Sequence, residues 1–449
     1  MLAELVFPVV WPKTGRVVAQ RVRMNRRVVA IGLGVISLVG LLTSLAAAAT
    51  IAPPKKPHAK SHHVTDSPAT QKKMARGKHS TRSAASSSSA KATTAKASRA
   101  NTTSASAKKK STKKSRSYER FYASSFATDQ TDGDMFAGED PVVREAAIQA
   151  LGNMNGTVVS IDPDSGRVLA MVNQKLALSA GAQPCSTIKV AVALAGLSEN
   201  VITKDTEIAL GKYYRMDLTT ALAHSNNAYF AAVGQKLGFE RVSYYARQYG
   251  LGELAGWHIA GEHLGTFPST ELDARLGGVG KMCSFGESIS MTPLQLGALM
   301  AAIANGGTLY YLQHPNSAEE ITNFTPKVKR QLDIGQAIPE MSDGLAGAVE
   351  YGTARFLRTS FVEEPVLGKT GTCSKNGTRF GWFASYANTE HGRIVTVFFL
   401  QGGRPTFGPK AAELAGHFYR NLYDHDYFAV KSSTVPVRSA GATQAGISH

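Results

Sequence analysis

Ser186-Thr187-Ile188-Lys189, Ser225-Asn226-Asn227 and Lys369-Thr370-Gly371-Thr372 occur in that order along the chain. Together they hold hydroxyls, amines and an amide, the groups that nucleophilic acyl transfer requires. Singly each motif is weak: S-x-x-K is expected by chance about twice in a chain of this size and S-x-N about as often, whereas K-T-G-T on a strand is expected well under ~0.1 times. The ordered set is the signal. Pro184 just ahead of Ser186, with an apolar stretch behind it, predicts that the serine stands on the first turn of a helix. Free backbone N–H groups and the helix dipole favour negative charge there. Lys189, three residues on, falls over the same helical face, within reach of the serine hydroxyl. A buried lysine beside another cation loses basicity and can take a proton, and Lys369 is the candidate neighbour. On that reading Ser186 is a nucleophile that needs no histidine. Lys369 with the hydroxyls of Thr370 and Thr372 would hold a substrate carboxylate, and the N–H of Thr372 would pair with that of Ser186 as an oxyanion hole.

These residues need a scaffold, and the surrounding pattern supplies one. Gly156 to Val172 reads as two apolar strands around a Pro163-Asp164-Ser165-Gly166 turn, a β-hairpin. Helical patterns dominate from Ser186 to about Asn305. Strand-like segments return at Val366 to Gly371, Arg379 to Tyr386 and Arg393 to Leu400, and Lys410 to Tyr423 looks like a closing amphipathic helix. The expected fold is α/β (α+β): a central, mostly antiparallel sheet built from distant parts of the chain, flanked by helices and carrying an inserted all-helical subdomain.

The chain has 449 residues, 43% hydrophobic and 18% charged, which excludes purely disordered and collagen-like readings. Its formal charge of +17 is unevenly spread: +5 over residues 1–52, +16 over 53–117 and −4 beyond. A folded part that is mildly acidic argues against nucleic acid as a partner. Arg21, Arg23, Arg26 and Arg27 precede an uncharged run from Val28 to Ala52, which as a helix would reach ~37 Å, more than the ~30 Å hydrocarbon core. The positive-inside bias then puts residues 1–27 in the cytoplasm and the bulk of the chain outside, with 28–52 as a transmembrane anchor or a signal segment. The small residues Ser44 to Ala49 would suit a signal-peptidase cut, in which case the domain is secreted, and Met24 is a candidate start. Residues 53–117, rich in Lys, Ser and Ala, have almost no large apolar residue and are expected to be a disordered linker. Its charge suits anionic lipid or wall polymer, or serves only to keep it extended. Residues 118–427 are expected to be the folded domain and 428–449 a flexible tail.

At the three motifs the sequence resembles the serine acyltransferases of the penicillin-binding protein family, whose S-x-x-K, S-x-N and K-[ST]-G signatures match these sites. The likeness extends to the stretch from Leu218 to Asn227, to Ser290-Met-Thr-Pro-Leu-Gln-Leu, Ala302-Ile-Ala-Asn-Gly-Gly and Gly352-Thr-Ala-Arg, covering roughly Met154 to Tyr423. The resemblance implies a beta-lactamase/transpeptidase-like fold. It makes Ser186 the acylated nucleophile, Lys189 the base, Ser225 a proton relay, Asn227 a ligand for the substrate backbone, and Lys369 with Thr370 the carboxylate anchor beside Gly371 and Thr372. The implied reaction is attack on the D-alanyl-D-alanine end of a peptidoglycan stem peptide, completed by a neighbouring amine, with beta-lactams acylating the same serine. No metal or cofactor is implied. D,D-carboxypeptidase or endopeptidase chemistry on the same site, and a beta-lactam or wall-fragment sensor, are the alternatives.

Cys185 stands where the family often has glycine, and Cys373 directly follows Thr372. A similar pair occurs in class A carbapenemases, so a disulfide is expected, permitted outside the cytoplasm. Cys283 is left over. That likeness raises beta-lactamase as a rival, but the E-x-x-L-N general-base segment of such enzymes is missing between Asn227 and Lys369. His224 and Asn226 are expected to position the loop, and Glu287 to be structural.

Overall fold

The computed structural model describes residues 119–389 and 392–428. The expected cytoplasmic segment, membrane span and linker, Tyr118 and the tail beyond Phe428 lie outside the described residues. Among the described residues no helix is long and apolar enough to cross a membrane.

In chain order the elements are α1 (Pro141–Leu151), β1 (Gly156–Ile161), β2 (Val168–Val172), α2 (Gln174–Ala177), α3 (Ile188–Ser198), β3 (Ile208–Gly211), β4 (Tyr214–Met216), α4 (Leu218–Ala223), α5 (Asn227–Gln248), α6 (Gly278–Phe285) and α7 (Pro293–Ala304). There follow β5 (Thr308–Tyr310), α8 (Ala318–Thr322), β6 (Val328–Gln331), α9 (Ala337–Glu350), β7 (Val366–Lys375), β8 (Thr378–Thr389), β9 (Gly392–Gly402) and α10 (Gly408–Asp424). Five strands form one sheet in the order β2-β1-β9-β8-β7, antiparallel throughout. The hairpin read between Gly156 and Val172 thus pairs through β1 with β9, more than two hundred residues later, with Val158 opposite Phe398.

Period-2 alternation divides the sheet's side chains between two cores. Val159, Ile161, Met171, Trp382, Val397 and Phe399 point to one side, against α3 and α7. Val158, Ala170, Val172, Phe383, Phe398 and Leu400 point to the other, against α1 and α10. Both faces of the sheet are covered, which is why every residue of β1 and β2 is buried, Thr157 and Ser160 of β1 included. To the expected helical insert between β2 and β7 the structure adds two short ladders, β3 with β4 and β5 with β6. These are strands of three or four residues, too short for their periodicity to stand out in the sequence.

The Ser290-Met-Thr-Pro-Leu-Gln-Leu segment has a local explanation. Thr292 caps α7, its hydroxyl accepting from Gln295 N at 3.1 Å while Gln295 Oε1 accepts from Thr292 N at 3.0 Å, with Pro293 at the first helical position. Both residues are buried, so these bonds satisfy donors that water cannot reach. Thr292→Ala is expected to lower the unfolding free energy by about 1 kcal/mol, read as a reduced midpoint in urea with an unchanged denaturant slope.

Candidate active site

Ser186 lies in a single 3-10 turn, Cys185–Thr187, directly ahead of α3, one step outside the α-helical turn expected from sequence. Cys185 has φ +54°, a region that favours glycine and costs other residues roughly 1–2 kcal/mol. The conformation is held from several sides. Cys185 is bonded to Cys373 of β7, Cα to Cα 5.5 Å. Thr187 Oγ1 donates to the Pro184 carbonyl at 2.7 Å. Buried Trp382, stacked on Phe399, donates from Nε1 to the Gln183 carbonyl at 3.0 Å. A Cβ on Gly371 would stand 2.8 Å from the Pro184 oxygen, so only glycine lets β7 lie this close to the serine turn.

Ser225 reaches the same cleft from between α4 and α5, again with positive φ, +56°. The neighbouring amide sets that geometry: Asn226 Oδ1 accepts from Tyr229 N at 2.9 Å and caps α5, leaving Asn227 as its first residue. Asn226 does position the loop, as expected. His224 ends α4 with its ring tilted against Tyr351, centroids 5.7 Å apart. Glu287 pairs with Lys281 at 3.5 Å.

Lys189 is the meeting point. Its Nζ lies 2.8 Å from Ser186 Oγ and 3.1 Å from Ser225 Oγ, and donates to the Ser225 carbonyl at 2.8 Å and to Asn227 Oδ1 at 2.6 Å. The last two partners can only accept. A neutral amine has two hydrogens and one lone pair, so these two acceptors use both hydrogens and leave the lone pair facing hydroxyl groups. The neutral form is favoured by the surroundings: burial first, and the charge of Lys369 second, push Lys189 down to about 6. Lys369, fully buried on β7, is pushed down to about 7 by burial. Neither lysine is in an ion pair among the described residues.

The structure therefore gathers Ser186, Lys189, Ser225 and Asn227 into one bonded cluster, with the Lys369-to-Thr372 strand against it. Two details differ from the sequence-based expectation. Asn227 Oδ1 faces Lys189, which leaves its side-chain N–H groups for a substrate. Lys369 Nζ donates to the Thr370 carbonyl at 3.1 Å and has no exposed surface, so its charge acts on the cleft as a field. Thr370 Oγ1 bonds Thr353 Oγ1 at 2.6 Å, and Thr353 N donates to the Ala223 carbonyl at 3.1 Å. Thr353 thereby links the strand to the end of α4, a role that sequence reasoning missed although Gly352-Thr-Ala-Arg was among the segments noticed. A Cβ on Gly352 would meet the Ala223 oxygen at 2.2 Å, which explains the glycine. Thr372 Oγ1 accepts from Gly408 N at 2.8 Å, tying the strand to the start of α10. Strand β7 is the sheet's edge, so on its free side backbone N–H and C=O groups face the cleft. Among the described residues no group of three His, Cys, Asp or Glu side chains is placed to hold a metal ion.

The family profile described as the penicillin binding protein transpeptidase domain matches residues 156–423. The chain is similar to the peptidoglycan D,D-transpeptidase MrdA of Acinetobacter baumannii, 23% identical over 388 residues that cover 70% of this chain and 56% of that protein. It is also similar to stage V sporulation protein D of Bacillus subtilis, 29% identical over 216 residues, 44% of this chain and 32% of that one. The chain thus spans about half or less of the length of these curated relatives. The fold is similar to that of Pseudomonas aeruginosa PBP2, solved in complex with WCK 5153, with a TM-score of 0.54 at 23% identity over 69% of this chain and 79% of that one.

The thiols provide a check on the site's frame. With Cys185 and Cys373 bonded and Cys283 buried, the native unreduced chain should resist alkylation. Denaturation without reductant should expose one thiol and denaturation with reductant three, counted by mass spectrometry; a Cys185 alkylated in the native state contradicts the bond.

Proposed function

The chain belongs to the penicillin-binding protein transpeptidase family, and from that premise we propose that it is a peptidoglycan D,D-transpeptidase working through an acyl-enzyme on Ser186. The observation that carries this reading is the 2.8 Å approach of Lys189 Nζ to Ser186 Oγ, with the amine's two hydrogens directed to fixed acceptors. As Ser186 Oγ attacks the carbonyl of the penultimate D-alanine, its proton passes to Lys189. The oxygen that gains charge lies between the N–H groups of Ser186 and Thr372, donors fixed before the reaction begins. Collapse breaks the C–N bond, and the leaving D-alanine amine takes the proton back by way of Ser225. An amine of a neighbouring stem peptide then attacks the ester, and Ser186 recovers its proton. The stem peptide lies along the free edge of β7, its terminal carboxylate held by Thr370 and Thr372 in the field of Lys369, with Asn227 on its backbone. A beta-lactam fits the same positions, but its ring keeps the leaving amine attached and so blocks the acceptor.

The same reading places residues 1–27 in the cytoplasm, an anchor at 28–52 and a spacer at 53–117 that holds the domain off a bacterial cytoplasmic membrane, on the wall side. A flexible coil of that length would have a root-mean-square span of ~45 Å. Domain limits of 118–427 with a tail to 449 belong to this proposal. So does contact of the basic spacer with anionic lipid or wall polymer, which deleting its lysines and measuring salt-dependent binding to isolated walls would test.

Labelling purified protein with a fluorescent penicillin tests the chemistry. The wild type should keep its label over hours, Ser186→Ala should take none, and Lys189→Ala should react about 10²–10⁴ times more slowly. Rapid loss of label would instead mark a beta-lactamase, and an unlabelled wild type would sink both.

The two shifted lysines set a pH dependence. Lys189 accepts a proton only when neutral, so the second-order acylation rate should climb as pH rises through about 6. Lys369 attracts a carboxylate only when charged, so the rate should fall again above about 7. Lys369→Met should abolish the falling limb while lowering the maximum.

A further inference from the structure

Lys369 has no exposed surface and gives a hydrogen bond to the Thr370 carbonyl, so direct hydrogen bonds to a carboxylate at the edge of β7 fall to the hydroxyls of Thr370 and Thr372. These two, at positions i and i+2 of the strand, lie on one of its faces. A hydroxyl has a single hydrogen and a carboxylate only accepts, so each threonine has to spend that hydrogen on the ligand and offer its oxygen to a donor elsewhere. The fold meets this need twice, by different means. Thr372 Oγ1 accepts from Gly408 N at 2.8 Å, and a backbone N–H can only donate, which leaves the Thr372 hydrogen for the cleft. Thr370 is 4% exposed, too little for water to serve it well. Its hydroxyl has one partner among the described residues, Thr353 Oγ1 at 2.6 Å.

Thr353 is fixed in place through its backbone. Three successive amides are tied down: Gly352 N donates to the Gly347 carbonyl at 2.9 Å, Thr353 N to that of Ala223 at 3.1 Å, and Ala354 N to that of Ala348 at 2.7 Å. On the other side of Thr370 the start of α10 lies close, since a Cβ on Gly408 would stand 3.0 Å from Thr370 Cβ. No second acceptor competes for the Thr353 hydrogen among the described residues. Without a ligand the pair of hydroxyls can run in either direction. A carboxylate at Thr370 permits only one, from Thr353 to Thr370 to the ligand, and bonds in such a chain strengthen one another.

We propose that Thr353 is a positioning residue for carboxylate recognition, its hydroxyl donating to Thr370 Oγ1 and so directing the Thr370 hydrogen to the substrate. This rests on the reading of Thr370 and Thr372 as the carboxylate anchor. Thr353 touches no reacting atom, so it acts on the encounter with an acidic ligand and leaves the bond-making step at Ser186 alone.

The test follows acylation of the full-length chain in detergent by intact mass, over a range of concentrations of benzylpenicillin and of its methyl ester, which lacks the acid. Saturation separates the dissociation constant of the first complex from the limiting rate. Thr353→Val, which keeps the shape and removes the hydroxyl, should raise that constant for the acid about tenfold, leave the limiting rate within about twofold, and leave the slower reaction of the ester unchanged. Thr353→Ser should behave as wild type. In a Thr370→Val background, Thr353→Val should add nothing. Acid and ester slowed alike by Thr353→Val, no recovery with serine, or additive effects in the double variant would overturn the proposal. A wild type that takes acid and ester equally well would instead sink the carboxylate anchor itself.

Discussion

A lysine amine kept out of water, with acceptors on two sides and a second lysine near it, is the constraint on which the rest of the structure turns. An amine in water holds its proton at neutral pH and cannot take one from a serine. Burial of Lys189 removes that obstacle, and Lys369 removes more of it. Both amines are expensive to bury without a counter-ion. Around them stand two apolar cores, the disulfide and Trp382. Together they hold the two lysines dry and the serine within reach.

Three parts of the chain have to meet for this, and small residues decide how closely. Gly371 lets the edge strand lie on the serine turn, and Gly352 lets the segment that carries Thr353 lie on the end of α4. Left-handed turns at Cys185 and Ser225 aim the two hydroxyl-bearing segments inward. Each strained turn is fixed by a neighbour, Cys185 by its disulfide and Ser225 by the Asn226 cap that follows it. The cysteine in a glycine-like position is thus explicable: the bond across to Cys373 holds a conformation that glycine would adopt without help.

The order and types of the motif residues were legible in the sequence because each motif is local: serine and lysine one helical turn apart, a K-T-G-T inside an apolar strand, a hairpin bounded by Pro163 and Gly166. The five-strand sheet was legible in outline for the same reason, since the strands of the main sheet have clear apolar runs. What the tertiary structure alone decided is which groups touch. That Asn227 faces Lys189 and that Thr353 bonds Thr370 depend on contacts between residues 38 and 17 positions apart, and that Lys369 lies sealed beside the Thr370 carbonyl depends on the elements packed over it. Spacing along a chain specifies neighbours on one element, whereas the acidity of an amine depends on everything that surrounds it, and that is set only once the elements have packed.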